Sequence, residues 1–192
     1  MRYAVLLLAA PLGGCISFGA APPPSLLTIE TAATVPVGLV QRTGGAGAVT
    51  VSVPSTPQAL ATARVPVQAT PTTIAYVEDA QWAEPPARLF ARLMSDTITA
   101  RTGRVVLSGA QSSVDPGARL SGELRRFDLD ATTREAVVTF DASLIRADAG
   151  AVEKRRFEAR VPVSAIDAAN AGAALGQAAN QVAAQVAEWV GR

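Results

Sequence analysis

Histidine is absent from this chain of 192 residues, and cysteine occurs once, at Cys15. These absences exclude Ser-His and Cys-His nucleophile pairs, and they exclude metal sites built from His or Cys ligands. Carboxylates remain as candidate acid–base groups, but no pair of acidic residues stands out by its spacing. The composition therefore argues against an enzyme, a metal centre and a bound cofactor.

Aromatic residues are also scarce, at 5% of the chain, although 49% of residues are hydrophobic and many of these are alanine. Neither sign of charge dominates: without Arg2, the remaining Lys and Arg equal the 16 Asp and Glu in number. Nucleic-acid binding requires a basic surface, so a neutral balance argues against it. The length suits one domain with a sizeable core.

The longest apolar run near the N-terminus, Tyr3 to Ala10, is too short to cross a membrane. A spanning helix needs about 20 apolar residues. Arg2 supplies a positive charge before the run, and Pro11 with the following small residues ends it. This pattern is typical of a secretory signal.

Cys15 follows Leu12, Gly13 and Gly14, a sequence that resembles the bacterial lipobox. In such proteins the thiol receives a diacylglycerol, the signal is cut before the cysteine, and the freed amine is acylated, for example with palmitate. An ordinary signal peptide with a chance cysteine is the alternative. Two or three acyl chains would hold the protein firmly on a membrane. Ile16, rather than Asp, favours the outer membrane under the sorting rule of enteric bacteria.

These features predict three segments. Residues 1–14 form the signal peptide, residues 15–25 the acylated cysteine and a Pro-rich tether, and residues 26–192 a single periplasmic domain. Pro22-Pro23-Pro24 favours a stiff polyproline II spacer.

Alternating apolar residues predict most of the strands. Leu26–Ile29 is expected to be a first short strand, and Ala63–Val67 an edge segment, because Pro66 cannot donate to a central ladder. A change of apolar parity in Arg125–Leu129 predicts a bulge or burial on both faces. Further strands are predicted at Val49–Val53, Thr73–Val77, Arg104–Ser108, Leu120–Leu129, Val138–Leu144 and Arg156–Val163.

The last two predicted strands form a hairpin around Asp148-Ala149-Gly150, with Asp141 opposite Glu158 or Arg160. Two long helices are predicted as well. The first begins at Pro86 and ends at Gly103, and the second is capped by Asp167. The apolar stripe of the second helix comprises Leu175, Ala179, Val182, Val186 and Val190. Its Gly172 and Gly176 should let it pack close to a sheet.

This set of elements predicts an α+β fold, a mixed and largely antiparallel sheet with two long helices packed on one face. Tyr76 and Trp82 flank the corner between a strand and the first helix. They are either packing groups or, with Phe90, part of a surface that meets a partner or lipid, because the Tyr and Trp rings carry a polar tip.

Four stretches, taken in this order behind a lipobox, resemble the ABC-type transport auxiliary lipoproteins, also called the paraquat-inducible protein C-like family. They are Ala63–Val67, Tyr76–Pro85, Leu120–Phe127 and Arg155–Pro162. The stretch ending in Trp-Ala-Glu-Pro before a helix is the most specific.

The resemblance implies an outer-membrane lipoprotein facing the periplasm. Its implied partners are an inner-membrane permease, an ATPase and a bridging MCE-domain protein, and its implied cargo is phospholipid or another hydrophobic molecule. Only the acylated cysteine carries over, onto Cys15. A ring-shaped homo-oligomer would suit capping a channel. The alternatives are a structural lipoprotein that stabilises an outer-membrane assembly without handling cargo, and a carboxylate-based hydrolase.

Overall fold

The computed structural model describes residues 25–43, 47–109, 117–147 and 150–192. The predicted signal peptide, Cys15 and nearly all of the tether lie outside these residues, as do Gly44–Ala46 and two residues of the predicted hairpin turn. Within the described ranges, seven strands form one sheet accompanied by two α-helices and a short 3₁₀ helix at Gln58–Leu60. The strands are β1 (Val49–Val51), β2 (Arg64–Thr70), β3 (Thr73–Gln81), β4 (Val106–Ser108), β5 (Ala118–Asp130), β6 (Glu135–Arg146) and β7 (Val152–Pro162), and the helices are α1 (Pro86–Thr102) and α2 (Ala168–Val190).

Strand β5 lies at the centre of the sheet. Strand β6 pairs with it in antiparallel fashion along its whole length, and β7 continues the antiparallel meander. The other edge of β5 is shared by two parallel partners, β1 near its start and β2 near its end. Outside these, β4 pairs parallel with β1, and β3 pairs antiparallel with β2. The predicted α+β class and mixed sheet are therefore confirmed.

Prolines explain why two short strands share one edge of β5. The chain runs parallel to β5 through β1, and Ser55 still pairs with β5 through an isolated bridge to Glu123. Pro54 and Pro57 on either side of Ser55 lack the N–H that a continuous ladder needs. The chain consequently leaves the sheet for the 3₁₀ helix before it rejoins β5 as β2.

The β2 segment corrects the prediction of an edge strand. It lies between β3 and β5, in the interior of the sheet. Pro66 is tolerated there because only Val67 and Gln68, which follow it, pair with β5. On the β3 side, the register shifts between Arg64 and Pro66. The missing donor therefore falls at an irregularity rather than inside a ladder.

Leu26–Ile29 is not a strand. Leu27 forms only an isolated parallel bridge with Trp82, through hydrogen bonds from its own N–H to Gln81 and from Ala83 to its carbonyl, both 2.8 Å. The segment then crosses the helices: the N–H of Ala32 donates to Asn180 Oδ1 of α2 at 2.8 Å. The segment therefore lies across the helical layer instead of extending the sheet.

The β5–β6–β7 meander confirms the predicted hairpin and the predicted bulge, since the register shifts between Leu124 and Arg126. The predicted partner of Asp141 was wrong. Ile145 lies opposite Val152, and this register places Arg156 across from Asp141. The two side chains form a bidentate ion pair with N–O distances of 2.6 and 2.7 Å. The hydrogen bonds from Arg156 hold the pKa of Asp141 below its usual value.

Both helices lie where their sequence signals predict. Helix α1 begins at Pro86, and Gly103 ends it in the left-handed conformation, with φ at 68°. Asp167 Oδ1 accepts a hydrogen bond from the N–H of Asn170 at 2.9 Å, which caps α2. The predicted apolar stripe of α2 is fully buried.

Three aromatic contacts hold the layers together despite the low aromatic content. Trp82 meets Phe127 with ring centroids 5.5 Å apart, and Phe90 of α1 meets Phe140 at 5.4 Å. Trp189 near the end of α2 packs on Phe157 of β7 at 5.5 Å. Each pair joins the helical layer, or the corner leading into it, to one of the three long strands. Such pairs contribute about 0.5–1.5 kcal/mol beyond the area they bury.

Gly172 and Gly176 do not act as predicted. A Cβ added at Gly172 would lie 2.9 Å from Leu27 Cδ2, so this glycine admits the N-terminal segment rather than the sheet. A Cβ at Gly176 would meet nothing within 4 Å. The close approach that does involve the sheet is at Gly122 of β5, where a Cβ would lie 2.2 Å from the carbonyl oxygen of Asp141.

Gly122→Ala and Gly176→Ala should therefore change stability in opposite directions. Overpacking at Gly122 should lower the free energy of unfolding by about 1–3 kcal/mol. Alanine at Gly176 meets open space in a helix, and should raise it by about 0.4–1 kcal/mol. Urea unfolding followed by circular dichroism measures both changes. Equal effects of the two substitutions would contradict the packing described around Gly122.

The Asp167 cap should make stability depend on pH. Hydrogen bonds from Asn170 hold the pKa of Asp167 below its usual value, so its contribution is present above the unfolded pKa of about 3.9 and is lost as the pH falls through the folded pKa. Asp167→Ala should therefore destabilise the protein at pH 7, and the difference from the unmodified protein should narrow in acid. Asp167→Asn, which keeps the acceptor, is the matched control in thermal unfolding at each pH. A constant difference across this range would refute the assignment.

Candidate functional site

The predicted surface residues do not form a common surface. The side chains of Trp82 and Phe90 are 1% and 0% exposed, because both rings pack between the helices and the sheet. Trp82 and Phe90 therefore lie in the core of the described fold and not on its surface. The hydrogen bond from the backbone N–H of Trp82 to the carbonyl of Ala63, at 2.7 Å, also fixes the corner.

Tyr76 alone of the three is partly accessible. It lies opposite Pro66 on β3, and the guanidinium of Arg64 stacks on its ring, 3.7 Å from the centroid. A cation over an aromatic face contributes about 0.5–1 kcal/mol at an exposed site. This contact gives Tyr76 a structural partner within the hairpin formed by β2 and β3.

A large cavity formed by described residues lies at the opposite end of the helices, where α1 and α2 end beside the start of β5 and the end of β6. It is a cleft of about 870 Å³, which is within the usual range for ligand sites. Four arginines dominate its lining, and we call it the arginine cleft. Its lining residues are Gly47, Arg101, Thr102, Arg104, Gly117, Ala118, Arg146, Ala147, Ala187, Glu188, Gly191 and Arg192.

Arg104 and Arg146 are held in place by the end of α2. Arg104 Nη1 and Arg146 Nη1 donate to the carbonyl of Val190, at 3.2 and 3.3 Å, and Arg146 Nη2 donates to Trp189 O at 3.2 Å. Arg146 also forms an ion pair with Glu153 at 3.0 Å. These contacts satisfy carbonyls that a helix end leaves unpaired, and they place positive charge at the negative end of the dipole.

The two guanidinium groups are close enough to repel each other. Burial lowers the pKa of Arg104, and the neighbouring charge of Arg146 lowers it further. Both guanidinium groups contribute positive charge to the lining of the cleft.

The other two arginines of the lining are Arg101, in the last turn of α1, and Arg192, just after α2. Arg192 forms an ion pair with Glu188, four residues earlier. Arg101 is exposed and makes no ion pair with any residue that the structure describes. Glu188 is thus the acidic side chain among the lining residues, against four arginines.

An exposed apolar loop, Val35–Val40, adjoins the cleft. The side chains of Val37, Leu39 and Val40 are 106%, 51% and 77% exposed. Gln41, the next residue, donates from Nε2 to the carbonyl of Arg104 at 3.3 Å, which ties the loop to the cleft. The three side chains lie within four residues of one another in sequence, and neighbouring exposed apolar groups mark interaction sites more often than isolated ones do.

Sequence reasoning missed this cleft. Its four arginines come from the last turn of α1, the segment after α1, the end of β6 and the residues after α2. No spacing rule links them, since only the parallel course of the two helices brings their ends together. The available signal was local: each arginine lies in or just beyond the last turn of a helix, or ends a strand.

The described residues hold no helix long and apolar enough to cross a membrane. They also hold no group of three or more His, Cys, Asp or Glu side chains arranged to bind a metal ion. Burial raises the pKa of the Asp128 carboxyl group above its usual value. Its carboxylate forms an ion pair with Arg126 Nη2 at 2.6 Å.

The fold is shared with solved structures of low sequence identity. A DUF330-family protein from Xanthomonas campestris matches with a TM-score of 0.71 and 22% identity, covering 86% of this chain and 93% of that one. A crystal structure of an uncharacterized protein matches with a TM-score of 0.65 and 16% identity, covering 74% and 92%. At these identities the likeness establishes the fold alone.

A search of curated proteins gives no significant match. A family model does match, and its description is the ABC-type transport auxiliary lipoprotein component. The match runs from residue 28 to residue 187, nearly the whole of the domain. It confirms the resemblance noted in the sequence, and the chain belongs to the ABC-type transport auxiliary lipoprotein component family.

Proposed function

We propose that this protein is an outer-membrane lipoprotein, anchored through acylated Cys15 and facing the periplasm. It acts as the auxiliary component of an ABC/MCE-type system that moves phospholipid or another hydrophobic molecule across the envelope. Its partners are an MCE-domain periplasmic protein, an inner-membrane permease and an ATPase. The observation that carries this proposal is the family match over residues 28–187 behind a lipobox cysteine.

The place where the chain enters the domain supports an orientation on the membrane. Leu27 pairs with Trp82, just before α1, and its side chain approaches Gly172 in the first turns of α2. The anchor therefore attaches at the end of the domain where both helices begin. The arginine cleft lies at the end where both helices stop.

The tether is short compared with this separation. Helix α2 has 23 residues and so spans about 35 Å. The ten residues Cys15–Pro24 span at most about 36 Å when fully extended. The cleft end could reach the anchoring bilayer only with the tether completely stretched, so it is directed towards the periplasm, where a bridging partner would arrive.

The proposed role is not enzymatic. The sequence lacks histidine, and its one cysteine is the proposed acylation site. In the arginine cleft, Glu188 is engaged with Arg192 rather than with a nucleophile. ATP hydrolysis is left to the partner ATPase, and this domain supplies a docking point.

Affinity purification of the acylated chain from detergent-solubilised envelopes should recover an MCE-domain protein with its permease and ATPase. Mass spectrometry of the eluted proteins makes the identification. Cys15→Ser is the matched control: it removes the thioether, so the chain should leave the membrane fraction. Recovery of outer-membrane assembly proteins alone would contradict the transport role and favour a structural lipoprotein.

A further inference from the structure

We propose that the arginine cleft and the apolar loop Val35–Val40 together bind one phosphate-bearing lipid, with the phosphate among the arginines and the acyl chains along the loop. This inference rests on the proposed function, because it assigns the cargo-binding site of the auxiliary component. It is carried by two adjoining features of opposite chemistry.

The cleft provides donors suited to a phosphate. A guanidinium is a planar fork that pairs with phosphate oxygens through two parallel hydrogen bonds. Arg146 is fixed by the carbonyls at the end of α2, so little side-chain entropy is lost when it binds. Arg146 uses three of its five N–H donors in its contacts with Val190, Trp189 and Glu153, which leaves two for a ligand.

Helix capping does not account for all four arginines. Arg104 and Arg146 satisfy the last carbonyls of α2, but Arg101 has no ion pair among the residues the structure describes, and Arg192 pairs with the exposed Glu188. Both can turn towards an anion in the cleft without breaking a contact in the core. The positive charge on this lining exceeds what the helix end requires.

The apolar loop distinguishes a lipid from a free anion. Inorganic phosphate would satisfy the arginines but would leave Val37, Leu39 and Val40 in water. A lipid covers both the arginines and the apolar loop, because a glycerol joins its phosphate to its acyl chains. A cleft of about 870 Å³ accommodates a glycerol. Covering these apolar side chains favours binding because it removes apolar area from water.

Native mass spectrometry of the full-length acylated chain in a non-ionic detergent tests the proposal with three probes. Phosphatidylglycerol carries phosphate and chains, diacylglycerol carries chains only, and inorganic phosphate carries the anion only. We expect one phosphatidylglycerol per chain, with diacylglycerol and inorganic phosphate each bound at least about tenfold more weakly, the equivalent of one lost charge-assisted contact. Binding of inorganic phosphate as tight as that of phosphatidylglycerol would overturn the lipid assignment in favour of a free-anion site.

Three variants locate the site. R101Q/R192Q should weaken phosphatidylglycerol binding by about tenfold or more. E188Q should strengthen it, because it removes the opposing charge and releases Arg192. V37S/V40S should weaken the binding of phosphatidylglycerol but leave that of inorganic phosphate unchanged.

The matched controls lie at the other end of the domain. R88Q removes an exposed arginine from the first turn of α1, and I166S removes an exposed apolar side chain before α2. Neither should change lipid binding, and thermal unfolding verifies that all variants fold. Unchanged binding in R101Q/R192Q would show that the arginines serve only the helix ends, and would overturn the proposal. If an MCE-domain protein is recovered while no lipid binds, this inference fails and the proposed function stands.

Discussion

Strand β5 pairs with different partners on its two edges, and the positions of the other elements depend on that difference. One edge is fully occupied by β6. The other accepts β1 and β2 in turn, because the prolines between them prevent one continuous strand. The division gives the sheet two short branches, β1–β4 and β2–β3. Strand β4 of the first branch follows the end of α1, and strand β3 of the second branch precedes its start. Helix α1 is therefore held to the sheet at both ends.

The long elements could be predicted from the sequence because one face of each is buried. Local rules were enough for these elements: alternation predicted β6 and β7, and an apolar stripe predicted α2. The Asp167 cap and Gly103 marked helix ends in the same local way. Where several partners compete, local rules failed. Pro66 lies in an interior strand because the ladder around it is irregular, and Leu26–Ile29 crosses helices because Leu27 packs over Gly172.

The candidate site was harder to predict for a related reason. Trp82 has a polar tip and was open to interpretation as an interface group, but Phe127 offers it an edge-to-face contact in the core. The arginine cleft gave only separate local signals in the sequence, because its residues are contributed by separate elements. Their proximity follows from the parallel arrangement of α1 and α2, which is a property of the whole fold.

The two ends of the domain therefore have different chemistry. At the end where both helices begin, the backbone of Leu27 pairs with that of Trp82. The other end has four arginines in the lining of its cleft, two of them half-buried, beside an apolar loop. In a family of transport auxiliary lipoproteins, this polarity suits a component held to the membrane at one end and working at the other.

Photo-crosslinking in living cells tests whether the cleft end of the domain is the end that meets lipid or a partner. A photoreactive amino acid is placed at Val40 beside the cleft or at Ile166 just before the start of α2, both exposed. We expect adducts with phospholipid or with an MCE-domain protein from Val40, and few or none from Ile166. Equal yields from both positions, or adducts from Ile166 alone, would contradict it.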